Sequence, residues 1–110
     1  MSGIVPVYIK KAITANTAAQ VTTDTTIRAS SVYFESDGAN TANVMVGTSN
    51  VSTSSYISQL LVGKSFALGS DSSSNGSRSS ERGDIQLSSL YVNAAATATV
   101  HITYLPRMGT

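Results

Sequence analysis

Apolar residues in this 110-residue chain occur in short runs bounded by turn-forming residues, and no run keeps helical spacing over ten residues. The clearest run is Thr99–Leu105, where Val100, Ile102 and Tyr104 alternate with polar neighbours. Such alternation places the apolar side chains on one face of a β-strand. Seven or eight runs of this kind, separated by turn signals, predict an all-β domain built as a sandwich or a barrel.

The central stretch Val32–Leu68 has the pattern of a β-hairpin. Its apolar runs Val32–Phe34 and Val44–Val46 flank a turn rich in Asp, Gly and Asn at residues 37–40. β-Branched and aromatic runs around such a turn are typical of two paired strands. The following Gly-Lys-Ser step at residues 63–65 predicts a turn into a further strand.

Two long polar segments separate the predicted strands. We expect Thr48–Ser58 to cross from one sheet to the other, with Val51, Tyr56 and Ile57 as anchors. The low-complexity segment Gly69–Gly83 cannot bury enough apolar surface to order itself, and we expect it to form a long hairpin tip.

Irregular positions are also visible in the predicted strands. The alternation slips at Ser30–Ser31 and again at Ser88–Ser89, and a slip of this kind predicts a β-bulge. At the N-terminus, Ile4–Ile9 contains Pro6, which cannot donate to a sheet ladder. We therefore predict one domain over residues 1–110, with an edge strand or arm at about 1–12 and a Ser-rich loop at 69–83.

The composition limits the possible functions. There is no cysteine, charged residues make up 12%, and the net charge is +1. Thiolate chemistry is therefore excluded, and long-range attraction to nucleic acid is not expected. The 19 serines and 13 threonines suit a protein docked in an assembly, or a secreted module. The initial Met without a signal-like segment predicts a complete small gene product, and no membrane span is predicted.

Few residues suggest catalysis or metal binding. We interpret His101, the only histidine, as a surface or interface residue, and Glu35 with Asp37 as solvated charges at a turn. The Asp71–Arg82 window resembles a calcium loop in part but has Arg82 where a bidentate Glu is needed. Gly63-Lys64-Ser65 lacks the upstream Gly of a phosphate loop. We predict no catalytic residue, no metal and no cofactor.

The segment Val44–Leu68, with the later D-I-x-L-S-x-L-Y-V and V-x-I-x-Y patterns, resembles small virion proteins of tailed bacteriophages. The resemblance covers about residues 27 to 105. It implies a jelly-roll β-sandwich with long loops. The chain departs from the pattern at Tyr56, where a small turn residue is expected, and in the length of the Ser-rich loop.

The resemblance implies a non-enzymatic head decoration (cement) protein on the capsid surface of the virion, or a portal or tail protein. Its partner would be the major capsid protein, and a homotrimer is the expected oligomer, without nucleic acid or membrane. We expect contacts from the N-terminal arm and a long loop. The candidate residues are Ile4, Val5, Val7, Tyr8, Lys10, Lys11, Tyr56, Arg78 and Arg82.

A carbohydrate-binding or adhesive module on the same sandwich is the alternative function. Sugar sites commonly use exposed aromatic side chains, and this chain has five Tyr, two Phe and no Trp. Tyr8, Tyr33 and Tyr56 are the candidates for such a site.

Overall fold

The computed structural model describes residues 5–69 and 85–106, which form a β-sandwich of two antiparallel sheets. Strands and one 3₁₀ turn at Leu87–Ser89 make up the regular structure of these residues. In chain order the strands are β1 (Val7–Ile13), β2 (Ala19–Gln20), β3 (Arg28–Ser36), β4 (Val44–Gly47), β5 (Ser58–Leu60), β6 (Ser65–Gly69), β7 (Ile85–Gln86), β8 (Tyr91–Ala94) and β9 (Ala98–Pro106).

The strand order is that of a jelly roll. Sheet A has the order β1-β9-β3-β6, with β7 also paired to β3, and sheet B has the order β2-β8-β4-β5. In sheet A, β1 pairs with β9 and β3 pairs with β6. In sheet B, β2 pairs with β8 and β4 pairs with β5, so the double strand β1–β4 runs beside the returning strands β5–β9 in both sheets. This wrapping of a long double strand is the jelly-roll arrangement, so the sandwich predicted from sequence is confirmed.

The core lies between the two sheets and draws on both. Its largest fully buried side chains include Phe34 on β3, Ile102 on β9, Leu60 on β5 and Leu87 in the 3₁₀ turn. β9 shows why alternation in sequence predicted a strand, because its inward residues are buried and its outward residues are half-exposed. Burying a side chain of this size stabilises the fold by about 1.5–3 kcal/mol.

The hairpin predicted around residues 37–40 is wrong, because β3 and β4 lie in different sheets. The connection is held by Asn40, whose side-chain amide donates to the Thr99 carbonyl at 2.8 Å and accepts from the Thr99 N–H at 2.9 Å. A side chain thus supplies the hydrogen bonds that a neighbouring strand would supply at this end of β9. The turn is real, but it leads across the sandwich.

The loop predicted to cross between sheets, Thr48–Ser58, instead joins the paired strands β4 and β5 of sheet B. Val51 anchors it as expected and is 3% exposed, but the side chains of Tyr56 and Ile57 are exposed and do not anchor the loop in the core. The chain crosses from sheet B to sheet A after β5, in the Leu61–Lys64 turn that leads to β6. A hydrogen bond from the Lys64 N–H to the Leu61 carbonyl closes this turn.

One of the two predicted bulges is present. The pairing of β3 with β9 shifts register between Ala29 and Ser31, which confirms the irregularity at Ser30–Ser31. The slip at Ser88–Ser89 is not a bulge but part of the 3₁₀ turn Leu87–Ser89. That turn carries the chain from β7 in sheet A to β8 in sheet B, and the change of sheet explains the change of phase.

β6 and β7 are two pieces of one edge strand, separated by residues 70–84. Gly69 pairs with Ser31 and Ile85 with Ala29, so a single β3 residue lies between the two partners. Both pieces run antiparallel to β3, and hence parallel to each other, unlike the arms of a hairpin. Residues 70–83 of the predicted hairpin tip lie outside the described residues.

Candidate functional site

The N-terminal contact candidates lie at one edge of sheet A. β1 pairs with β9 on one side and has no second neighbour among the described residues. Tyr8 and Lys10 are exposed on its outer face, Lys11 is half-buried, and Val7 packs against the core. Val5, just before the strand, is 71% exposed. Residues 7–12 of the predicted arm are therefore strand, and Ile4 lies outside the described residues.

The remaining candidates are elsewhere. Tyr56 lies in the β4–β5 loop of sheet B. Arg78 and Arg82 lie outside the described residues. The structure thus distributes the predicted contacts over separate parts of the sandwich.

Exposed apolar side chains are concentrated in the two short segments that flank β5. Of the seven large apolar residues exposed in the described part of the chain, four lie in the segment Tyr56–Val62. Ile57 is 53% exposed and Leu61 is 54% exposed. β5 is an edge strand of sheet B and packs near β6, so this segment lies on the side of the sandwich away from β1. A strand edge with exposed apolar residues is typical of an interaction surface.

A recess of about 170 Å³ opens in the β4–β5 loop. Its walls are formed by the residues Gly47, Thr48, Asn50, Val51, Ser55, Tyr56 and Ile57. None of these side chains is charged. The sequence analysis selected only Tyr56 from this group as a candidate site residue. The signal for the others was the run of hydroxyl and amide residues around the apolar Val51.

The recess has a rigid frame. The buried Asn93 of β8 donates from its amide to the Val51 carbonyl at 3.0 Å, which fixes the middle of the loop. Val51 in turn packs over Gly47, where an added Cβ would meet Val51 Cγ2 at 3.0 Å. Gly47 is therefore needed for the loop to fold back onto β4. Beyond Val51, Ser52 and Ser55 exchange two backbone hydrogen bonds.

Polar side chains in the recess are free to bind a ligand. Thr48, Asn50 and Ser55 make no side-chain hydrogen bond within the part of the chain that the structure describes. The Tyr56 hydroxyl donates to Gln59 Oε1 at 3.2 Å, and its side chain is 44% exposed. The recess therefore combines unpaired donors and acceptors with a partly exposed aromatic side chain.

A second polar cluster lies on the outer face of sheet A. His101 Nε2 lies 3.0 Å from Asp37 Oδ1, and His101 Nδ1 lies 2.6 Å from the Tyr8 hydroxyl. The Tyr8 and His101 rings also stack, with centroids 5.9 Å apart. The hydrogen bond from His101 is the main reason that the pKa of Asp37 is below its ordinary value, with a smaller contribution from the Ala39 N–H.

The structure does not pair Glu35 with Asp37 as an acid and a base. Asp37 bonds to His101 and to the Ala39 N–H, whereas Glu35 is exposed beside His101 and makes no ion pair within residues 5–69 and 85–106. His101 thus connects side chains from three segments of the chain. Because Tyr8 and His101 are 93 residues apart, no local sequence pattern indicated their contact.

Within the described ranges, no group of three or more His, Cys, Asp or Glu side chains could hold a metal ion. The whole of the partial calcium motif at Asp71–Arg82 lies outside those ranges. The described residues also contain no helix of the length and hydropathy needed to cross a bilayer.

Comparison with known proteins adds little. No family model matches the chain, and no curated protein matches it. A solved structure of a Bacillus endospore appendage protein, described as one of a family of disulfide-linked pili, is 19% identical with a TM-score of 0.35. The match covers 94% of this chain and 91% of the other.

Proposed function

We propose that this chain is a non-enzymatic structural protein of a large assembly, most specifically a decoration (cement) protein on a bacteriophage capsid. Its partners are the major capsid protein and further copies of itself, in a trimer. The proposal starts from the resemblance in sequence, and the arrangement of exposed apolar residues supports it.

The observation that carries the proposal is the presence of apolar contact surfaces on opposite sides of one small sandwich. Val5 and Tyr8 are exposed along the β1 side, and Ile57, Leu61 and Val62 are exposed along the β5 side. A protein that bridges two neighbours needs two such surfaces. Because the two surfaces differ, the contacts they make are heterologous, and heterologous contacts can form a closed ring.

Bridging explains how such a protein stabilises a shell. A ligand that binds only the assembled form shifts the equilibrium toward that form, by about 2.7 kcal/mol per site at a concentration one hundred times its Kd. Edge strands β1 and β5 can add a strand from a neighbour through backbone hydrogen bonds, while the apolar residues beside them add buried area.

The test begins with the location of the chain. Under the proposal, purified virions of the source phage contain it in many copies, and heads from a gene deletion lose it. Adding purified chain back to these heads restores their resistance to heat. Virions without the chain would contradict the proposal. Density for the chain confined to the portal or tail would show that it is a portal or tail protein and not a decoration protein of the head.

Matched variants then test the surface. Leu61→Lys places a charge in the exposed segment Tyr56–Val62 and weakens binding to heads lacking the chain. Ala39→Lys adds the same charge at another exposed position and leaves binding unchanged. Equal binding by both variants would show that the segment Tyr56–Val62 is not part of the interface.

A further inference from the structure

We infer that the recess in the β4–β5 loop binds a single ring of a neutral saccharide. This inference is independent of the proposed structural role. It rests on the size of the recess, its uncharged polar lining, the position of Tyr56 and the rigidity of the loop.

The size of the recess fits one sugar ring. Its volume of about 170 Å³ is that of roughly five or six water molecules at liquid density. That space takes a pyranose ring, and it is smaller than the roughly 300–1,000 Å³ of sites for drug-sized molecules. The recess is open to solvent, so further rings of an oligosaccharide can extend away from the protein.

The lining selects a neutral, hydroxyl-rich ligand. Thr48 and Ser55 each offer a hydroxyl that both donates and accepts, and the Asn50 amide offers donors and an acceptor. These groups match the alternating donors and acceptors of sugar hydroxyls. No Lys, Arg or His contributes to the walls, so a phosphate or a sialic acid would find no opposite charge there.

Tyr56 provides the apolar part of the site. One face of a pyranose presents C–H groups, which pack against an aromatic ring. Tyr56 lines the recess, its side chain is 44% exposed, and its hydroxyl donates to Gln59 Oε1 at 3.2 Å. An exposed ring with a hydrogen-bonded hydroxyl is suited to this contact.

The loop is preorganised for binding. Asn93 holds the Val51 carbonyl, and Val51 packs over Gly47. The walls are therefore formed before a ligand arrives, and binding does not require the loop to become ordered. This property separates the recess from an ordinary polar surface loop.

The other tyrosines fit a saccharide less well. Tyr8 stacks on His101, and its hydroxyl already bonds to that ring. Tyr33 lies two strands away from Tyr8, with Thr103 between them, on the exposed face of sheet A. Of the three tyrosines that the sequence suggested, the structure favours Tyr56.

The experiment is an NMR titration of the full chain with methyl glycosides of glucose, galactose, mannose and N-acetylglucosamine. We expect at least one sugar to cause saturable shifts at Thr48–Ile57, with a millimolar Kd. Tyr56→Ala lowers the affinity for that sugar by at least about tenfold, and Asn50→Ala also lowers it. Tyr33→Ala, the matched control, leaves the affinity unchanged. Circular dichroism and thermal midpoints verify that each variant folds, and Tyr56→Phe, which keeps the ring, retains binding.

Several results would overturn the inference. They are the absence of saturable shifts with every neutral sugar, shifts centred on Tyr8 and Tyr33, or binding only of sialyllactose, the charged sugar added for comparison. Protection of the recess by an assembled shell, without any response to sugars, would assign the surface to a protein partner instead. Capsid binding by Tyr56→Ala is measured separately, so failure of one proposal leaves the other open to its own test.

Discussion

The Tyr8 hydroxyl lies 2.6 Å from Nδ1 of His101, and this contact joins the outermost strand of sheet A to its neighbour by side chains as well as by backbone. With the His101 proton on Nε2, Nδ1 accepts from Tyr8 while Nε2 donates to Asp37 at 3.0 Å. The side chains of His101 and Asp37 are 27% and 37% exposed. The three residues thus form a partly screened chain of hydrogen bonds across the sheet.

A double-mutant cycle tests the first of these bonds. Tyr8→Phe and His101→Ala each lower the free energy of unfolding, and we expect a coupling energy of about 0.5–1 kcal/mol because both changes remove one shared bond. Urea denaturation measures it. Tyr33→Phe is the control, since its hydroxyl makes no hydrogen bond within the described residues. Strictly additive effects would show that the contact does not stabilise the strand.

Acid stability depends on Asp37. Its pKa is below the ordinary value of 3.8 in the folded state, so the unfolded chain binds the proton more readily. The stabilisation is therefore present above about pH 4 and is lost as pH falls through the folded pKa. We predict that Asp37→Asn flattens the decline of the urea midpoint below pH 4.

The same prediction has a direct spectroscopic form. His101→Ala removes the main cause of the lowered pKa, so NMR titration of the Asp37 carboxyl gives a pKa closer to the ordinary value in that variant. Asp24 is the internal reference, because its pKa is lowered by the hydroxyl and N–H of Thr26 and does not depend on His101. A change in the pKa of Asp24 without a change in that of Asp37 would contradict the assignment of His101 as the main cause of the lowered Asp37 pKa.

Gly69 cannot be replaced without strain. Its φ is +121°, and an added Cβ would lie 2.7 Å from the Ser30 carbonyl oxygen and from Ser31 Cα. We predict that Gly69→Ala lowers the free energy of unfolding by about 2–3 kcal/mol. Gly38→Ala is the matched control, since nothing lies within 4 Å of its added Cβ. It should be neutral or stabilising by up to about 1 kcal/mol.

The sandwich should fold without residues 70–84. Since one β3 residue separates the partners of Gly69 and Ile85, a one- or two-glycine linker can rejoin the edge strand. We expect the free energy of unfolding to change by less than about 1 kcal/mol. Loss of cooperative unfolding would show that the segment supports the core. The same variant removes Arg78 and Arg82 and so tests their predicted role in partner binding.

Local sequence pattern predicted the strands well and their partners poorly. The alternation in β9 and the slip at Ser30 are visible because they depend on neighbouring residues. Whether a turn returns to the same sheet depends on distant bonds, such as those between Asn40 and Thr99. A hairpin turn and a crossing turn therefore look alike in sequence. For this reason the sequence predicted a hairpin between β3 and β4 and a crossing between β4 and β5, whereas the structure has the reverse.

The candidate sites show the same limit. Tyr56 was selected because it departs from a pattern, but its surroundings depend on Asn93 and Gly47, which are distant in sequence or carry no side chain. The Tyr8–His101–Asp37 chain joins three segments that only the sheet register brings together. No residue pattern within a single strand could have predicted either arrangement.

The interrupted edge strand also makes this protein a natural carrier for foreign peptides. A peptide exchanged for residues 70–84 would start beside Ser31 and finish beside Ala29, on either side of Ser30 in β3, whatever its length. The entropy cost of closing such a loop rises only slowly with the number of residues added. An epitope or enzyme placed there would be presented once per subunit, and a repeating assembly of subunits would turn that single position into a regular array.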